Sequence, residues 1–118
     1  MLPKPYRLTK PADFRRVRNE GRCWSDRRLV LCRHPNELAK SRFGFSVSKR
    51  IGNAVVRNRI KRLLRNAVRV HCDLILPGWD VVMIARKGIV GADYWDVESS
   101  VTHLLSLARM LQSQVQAE

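Results

Sequence analysis

A chain of 118 residues is the length of one folded domain, so a single domain over residues 1–118 is expected. Its 45% hydrophobic content excludes a disordered tail, and no apolar run approaches the ~18 residues of a membrane-spanning helix. Against 10 Asp and Glu stand 23 Lys and Arg, a formal charge of +13 that repels itself in a compact state unless a polyanion neutralises it; nucleic acid is the leading partner.

The first predicted element is a short helix capped by Thr9, with Pro11 in its first turn, Phe14, Val17 and Ala12 on its apolar side, and Gly21 ending it. Two β-rich runs follow, Leu29–Cys32 and Phe43–Ser48, separated by the turn-like His34-Pro35-Asn36-Glu37 and read as adjacent strands, with a short extra strand near residues 24 to 28. The second run alternates: Phe43, Phe45 and Val47 share one face, and Gly44, Ser46 and Ser48 form a small, polar face that a ligand can approach closely. After Gly52, Asn53 caps a helix whose apolar residues Ile60, Leu63, Leu64, Ala67, Val68 and His71 keep helical spacing over three turns. Asp80–Ala85 is a continuous apolar run suited to a strand covered on both faces. A final helix starts at Asp93 and buries Val97, Val101, Leu104, Leu105, Ala108 and Leu111.

Charge is polarised along the chain: residues 1–72 carry 20 basic and 4 acidic side chains, residues 73–118 carry 3 and 6. On the central helix Asn58, Lys61, Arg62, Arg65 and Arg69 lie opposite the apolar arc, a cationic stripe about 15 Å long, with Arg59 at its edge and Arg57 able to reach out from the first turn. Charged helix faces are ordinarily just solvated. Such faces mix signs, however, and no Asp or Glu occurs between Glu37 and Asp73, so these cations lack local partners and point to nucleic acid. Arginine outnumbers lysine here, and its planar fork pairs phosphate oxygens or stacks on a base, which suits folded RNA. Phe14 at the edge of the groove between strand and helix can stack on an unpaired base, although a core role for it is the simpler reading.

Cys23, Cys32 and Cys72 are odd in number and form no Cys-x-x-Cys pair, which argues against a disulfide framework or a zinc site and for free thiols. The N-terminal Met1-Leu2-Pro3-Lys4-Pro5 has no signal-like segment, and a cytoplasmic location is expected.

The stretch Phe45-Ser46-Val47-Ser48-Lys49-Arg50-Ile51-Gly52-Asn53-Ala54-Val55-Val56-Arg57-Asn58-Arg59-Ile60-Lys61-Arg62-Leu63-Leu64-Arg65 closely resembles the signature of the ribonuclease P protein family, and Leu8-Thr9-Lys10, Asp13-Phe14 and Ile84-Ala85-Arg86-Lys87 extend the similarity. The resemblance implies a single-domain α/β sandwich: a mainly four-stranded sheet, about three helices, and the basic helix in a left-handed βαβ crossover where pattern rules favour a right-handed one. It implies a subunit that binds a catalytic RNA through Arg57, Asn58, Arg59, Lys61, Arg62, Arg65 and Arg69, with Lys49 and Arg50 beside them. A cleft for the 5′ leader of precursor tRNA would be lined by Phe14, Arg18, Ser46, Ser48 and Lys87. Arg18 and Cys32 stand where many relatives carry aromatics, so leader stacking is expected to be weaker, with Arg18 as a substitute.

The implied reaction is hydrolysis of a phosphodiester bond, for which divalent metal is the usual catalyst. Asp13, Glu20, Asp26 and Glu37 are too scattered to gather metal ions, and His34, His71 and His103 lack catalytic partners. The expectation is therefore that the protein has no catalytic or metal-binding residues, that Mg2+ acts at the RNA, and that the isolated protein is a non-catalytic monomer with no membrane partner. The rival readings are a ribosomal or RNA-chaperone protein, an autonomous metal-dependent nuclease and, more weakly, a helix-turn-helix DNA reader.

Overall fold

A computed structural model describes residues 3 to 112. In chain order it contains α1 (Pro11–Glu20), β1 (Arg22–Ser25), β2 (Leu29–Pro35), β3 (Arg42–Ser46), α2 (Ala54–Val70), β4 (Trp79–Ala85) and α3 (Tyr94–Leu107), with 3₁₀ turns at Lys4–Tyr6, Cys72–Leu74 and Lys87–Ile89. The strands form one mixed sheet in the order β1-β2-β4-β3, antiparallel except for the parallel pair β3 and β4, which α2 connects.

The expected pairing of β2 with β3 does not occur, because β4 lies between them. The cause is the composition of β4. Val81, Val82 and Met83 are wholly buried, so the strand has no face to give to solvent and takes an inner place, while β3, with Gly44 and Ser46 on one side, takes the edge. The turn also starts later than expected: His34 and Pro35 belong to β2.

One face of the sheet carries α2 and α3 over the main core, where Leu29, Leu31, Phe43, Val81 and Met83 meet Ile60, Leu64, Val68, Val101 and Leu105. The other carries α1 over a smaller cluster of Leu8, Val17, Cys32 and Val82, joined by Phe14, Val30 and Ile84. Asn53 caps α2 by accepting a hydrogen bond from the Val56 amide at 3.0 Å. Asp93 and Asp96 form a capping box at the start of α3. At the start of α1 the expected Thr9 cap is absent. Pro11 drives the residue before it into an extended conformation (φ −83°, ψ 131° at Lys10), so the cap position falls on Lys10, which makes no side-chain bond there.

Two polar arrangements hold these layers in register. Asp80, only 3% exposed, accepts from Arg42 Nε at 2.8 Å, Arg42 Nη2 at 2.7 Å and Asn36 Nδ2 at 2.9 Å, tying β3 and the 36–41 loop to β4. That pairing raises the Arg42 pKa, with burial opposing it. On the other face His71 Nε2 meets Thr102 Oγ1 at 2.8 Å and Glu98 Oε2 at 3.1 Å, joining the end of α2 to α3.

The cysteine expectation is corrected: Cys23 and Cys32 form a disulfide across β1 and β2, with Cα atoms 4.1 Å apart, and only Cys72 remains a free thiol. The two residues sit directly opposite in the hairpin register, a relation that spacing alone does not display. Burial, then Asp73, raises the Cys72 pKa, with Arg69 opposing them.

Candidate RNA-binding surface

The helical period that buries Ile60, Leu64, Ala67 and Val68 turns the remaining residues of α2 outward. Asn58, Arg59, Arg62 and Arg69 are exposed, as are Lys49 and Arg50 in the turn that leads into the helix. No ion pair among the described residues involves any of the basic residues from Lys49 to Arg69. Among the described residues only the Arg59 side chain of this set makes a hydrogen bond, from Nη2 to the Ala92 carbonyl at 3.4 Å. Arg57 departs from expectation, since it does not simply reach into solvent. It is half-buried, and its Nε is enclosed without an acceptor. An enclosed donor lacking a partner is costly, so this atom favours an incoming oxygen.

Lys61 and Arg65, one turn apart and half-buried, lean from the stripe into a cavity of about 350 Å³ at the outer edge of β3. Its other walls are Arg7, Leu8, Thr9, Phe14, Phe43, Gly44 and Phe45. Arg7 pairs with Phe43 in a parallel bridge, and the Leu8 amide donates to the Phe43 carbonyl at 2.8 Å, so the N-terminal segment is stitched to the strand edge. Gly44 matters sterically: a Cβ at this position would strike the Phe14 ring, so the aromatic settles against β3 only because no side chain is there. The result is an aromatic surface flanked by three cations.

Of the residues expected in a leader cleft, the cavity takes Phe14 alone. Ser46 shares the α1 face of β3 with Gly44 but lies two residues further along. Exposed Ser48 follows the end of β3, Arg18 stands a turn beyond Phe14 on α1, and exposed Lys87 follows β4; none of these lines the cavity. Arg7, Leu8, Thr9, Phe43 and Phe45 are the lining residues that sequence reasoning missed. The sequence pattern around Thr9 predicts a cap, and the bridge from Arg7 to Phe43 joins segments more than thirty residues apart.

The acidic groups on the α1 side are engaged. Asp13 lies 3.3 Å from Arg16 and 3.8 Å from Arg42, Asp80 binds Arg42, and Glu20 lies 3.5 Å from His34. Among the described residues no three His, Cys, Asp or Glu side chains converge as a metal site would require, and no helix is long and apolar enough to cross a membrane.

An α/β sheet protein with an unpaired cationic helix beside an aromatic cleft is, as a class, a binding protein for a polyanion. Its family follows from comparison with known proteins. Residues 2–109 match the family model for ribonuclease P. The chain is 43% identical over 115 residues to the ribonuclease P protein component of Roseiflexus castenholzii, covering 97% of this chain and 94% of that one. With its counterpart in Herpetosiphon aurantiacus it shares 43% over 109 residues, covering 92% and 89%. The ribonuclease P protein of Staphylococcus aureus superposes with a TM-score of 0.85 at 37% identity, covering 91% of this chain and 98% of that one. That of Thermotoga maritima gives 0.79 at 30%, covering 86% and 96%. This chain belongs to the ribonuclease P protein family.

Proposed function

We propose that the chain, acting as one domain over its 118 residues, is the protein subunit of ribonuclease P, holding the catalytic RNA and the 5′ leader of precursor tRNA while the RNA cuts the leader away. The observation that carries this reading is the row of α2 cations without carboxylate partners, bordering the Phe14 cleft. Arg57, Asn58, Arg59, Lys61, Arg62, Arg65 and Arg69, with Lys49 and Arg50 at the helix entry, neutralise phosphates of the catalytic RNA. Phe14, with Lys61 and Arg65 opposite, takes the single-stranded leader, and Arg18, Ser46, Ser48 and Lys87 contact it on either side of the cavity.

Hydrolysis belongs to the RNA in this reading. Magnesium would supply a Lewis acid and an activated water there, but this protein's residues do not fit the ion: cations surround the cleft, and Asp13, Asp80 and Glu20 are committed to Arg16, Arg42 and His34. The protein therefore binds no cofactor of its own. Its work is to screen the repulsion between two RNAs, so that substrate and metal bind at cellular salt. We further propose that the isolated protein is a cytoplasmic monomer without a membrane partner.

Reconstitution tests the reading. Purified protein added to the catalytic RNA at low magnesium should accelerate release of the leader, and the variant Arg57→Ala/Arg62→Ala/Arg65→Ala should lose most of that stimulation. Stimulation by the triple variant equal to that of the unaltered protein would remove α2 from the function. Cleavage by protein stripped of all RNA would replace the proposal with an autonomous nuclease.

A further inference from the structure

A second cationic and aromatic cluster lies on the α3 side of the sheet, at the edge opposite β3. Trp24 of β1 and Trp79 of β4 flank Arg33 of β2, whose guanidinium carbon sits 3.9 Å from the Trp79 ring centre and 5.2 Å from that of Trp24. Arg22, which faces Arg33 in the strand register, lies 5.2 Å from the Trp24 ring centre. With the end of α3, Arg22, Trp24 and Arg33 enclose a recess of about 390 Å³, completed by Leu107, Ala108 and Arg109, while Trp79 stacks on Arg33 without lining it. Its volume falls within the range of about 300–1,000 Å³ typical of small-ligand sites.

Two features of this recess point to an anion. It is lined by three arginines and no acid, and among the described residues none of the three has an ion-pair partner. Burial and the charge of neighbouring Arg22 both lower the Arg33 pKa, a mutual repulsion that a bound anion would relieve. The left-handed conformation of Arg109 (φ 57°) belongs to the ending of α3, where the Met110 amide donates to the Leu105 carbonyl at 2.9 Å, and it sets this residue at the lip of the recess.

Flat guanidinium and indole surfaces add a second preference, since they stack on nucleobases. We propose that Arg22, Arg33 and Arg109, tiered with Trp24 and Trp79, form a second RNA site that takes an unpaired nucleotide, its base continuing the stack and its phosphate held by the arginines. The site is separate from the α2 surface. β1 and β3 are opposite edges of a four-stranded sheet, about 14 Å apart at the usual strand spacing. An RNA segment on α2 therefore leaves the recess open to another segment.

Tryptophan fluorescence tests this, because two of the three tryptophans lie in the cluster and the third, Trp95, is 72% exposed and safely removed as Trp95→Phe. Titrating that protein with hexauridylate RNA should quench its emission, and Arg22→Ala/Arg109→Ala, both at exposed positions, should weaken the midpoint about tenfold at moderate salt. Arg62→Ala/Arg65→Ala should leave the quenching amplitude intact. The inference fails if no quenching occurs, if only the α2 changes abolish it, or if inorganic phosphate or a polyglutamate peptide quenches as strongly as the RNA. Leader release by the Trp95→Phe protein with otherwise unaltered residues is read separately: absent quenching with intact stimulation sinks this site alone, and absent stimulation with intact quenching sinks only the function proposed above.

Discussion

Replacing Arg62 and Arg65 together with alanine tests the cationic stripe most directly. Neither side chain has an ion-pair partner among the described residues, so their removal strands no buried carboxylate, and folding stability should change by no more than about 0.5 kcal/mol per site. RNA affinity should change strongly and with a diagnostic salt dependence. Each neutralised phosphate contributes roughly 0.7–0.9 to the slope of log affinity against log salt, so the double variant should be shallower by about 1.4–1.8. Between about 0.1 and 1 M salt, the affinity gap between the two proteins should then narrow about fortyfold. The assay is equilibrium binding to the catalytic RNA across that salt range, with circular dichroism to confirm the fold. Parallel salt lines would refute the reasoning even if affinity fell, because a loss independent of salt is not loss of phosphate contacts.

Further outcomes are expected from the remaining features. Phe14→Ala should weaken binding of precursor tRNA bearing a long leader by about 1–3 kcal/mol and leave a leaderless tRNA unaffected; equal losses on both substrates would take Phe14 out of leader contact. Asp80→Ala should cost about 2–4 kcal/mol in denaturant unfolding, because it leaves Arg42 and Asn36 without their acceptor, and a loss below about 1 kcal/mol would mean the pairing is dispensable. For Asp26, burial raises the pKa, but bonds from Ser100 and the Leu29 and Arg28 amides, with the Arg28 charge, outweigh it and set the pKa below the ordinary carboxylate value. The folded group is thus the stronger acid. Its stabilisation is complete above that ordinary value and disappears as pH falls through the folded one, so Asp26→Asn should flatten the acid limb of stability against pH, and an unchanged limb would contradict this. Reducing the Cys23–Cys32 bridge, which spans a sequence separation of 9, should lower stability by about 2–3 kcal/mol on a loop-closure basis; identical melting with and without reductant, once the bridge is verified by mass, would refute that.

What the sequence disclosed was whatever depends on neighbours along the chain. The period of Ile60, Leu64 and Val68, the Asn53 cap and the lack of acids between Glu37 and Asp73 were enough to place α2 and orient its charge. The apolar run after Asp80 revealed a strand buried on both faces for the same local reason. What stayed hidden depends on register between distant segments. The insertion of β4 between β2 and β3, the meeting of Cys23 with Cys32, the bridge from Arg7 to Phe43 and the stacking of Arg33 between two tryptophans are all produced by pairing, and no window of sequence contains both partners with their alignment. At Thr9 the local rule itself fails by one residue, since Pro11 holds Lys10 extended and moves the cap position onto it.

The bare backbone at Gly44 acts as a depth stop for the groove. Because the Phe14 ring rests against the main chain of β3, the height of the aromatic floor is set by the missing methyl group and not by any adjustable side chain. Adding that methyl would push the ring off the strand on the α1 face, away from the face that carries α2, and so reshape the slot without touching a single charge. Groove width and groove charge are therefore under separate control in this fold, one by position 44 and the other by α2, and a change in selectivity can arise at the first without any loss of grip at the second.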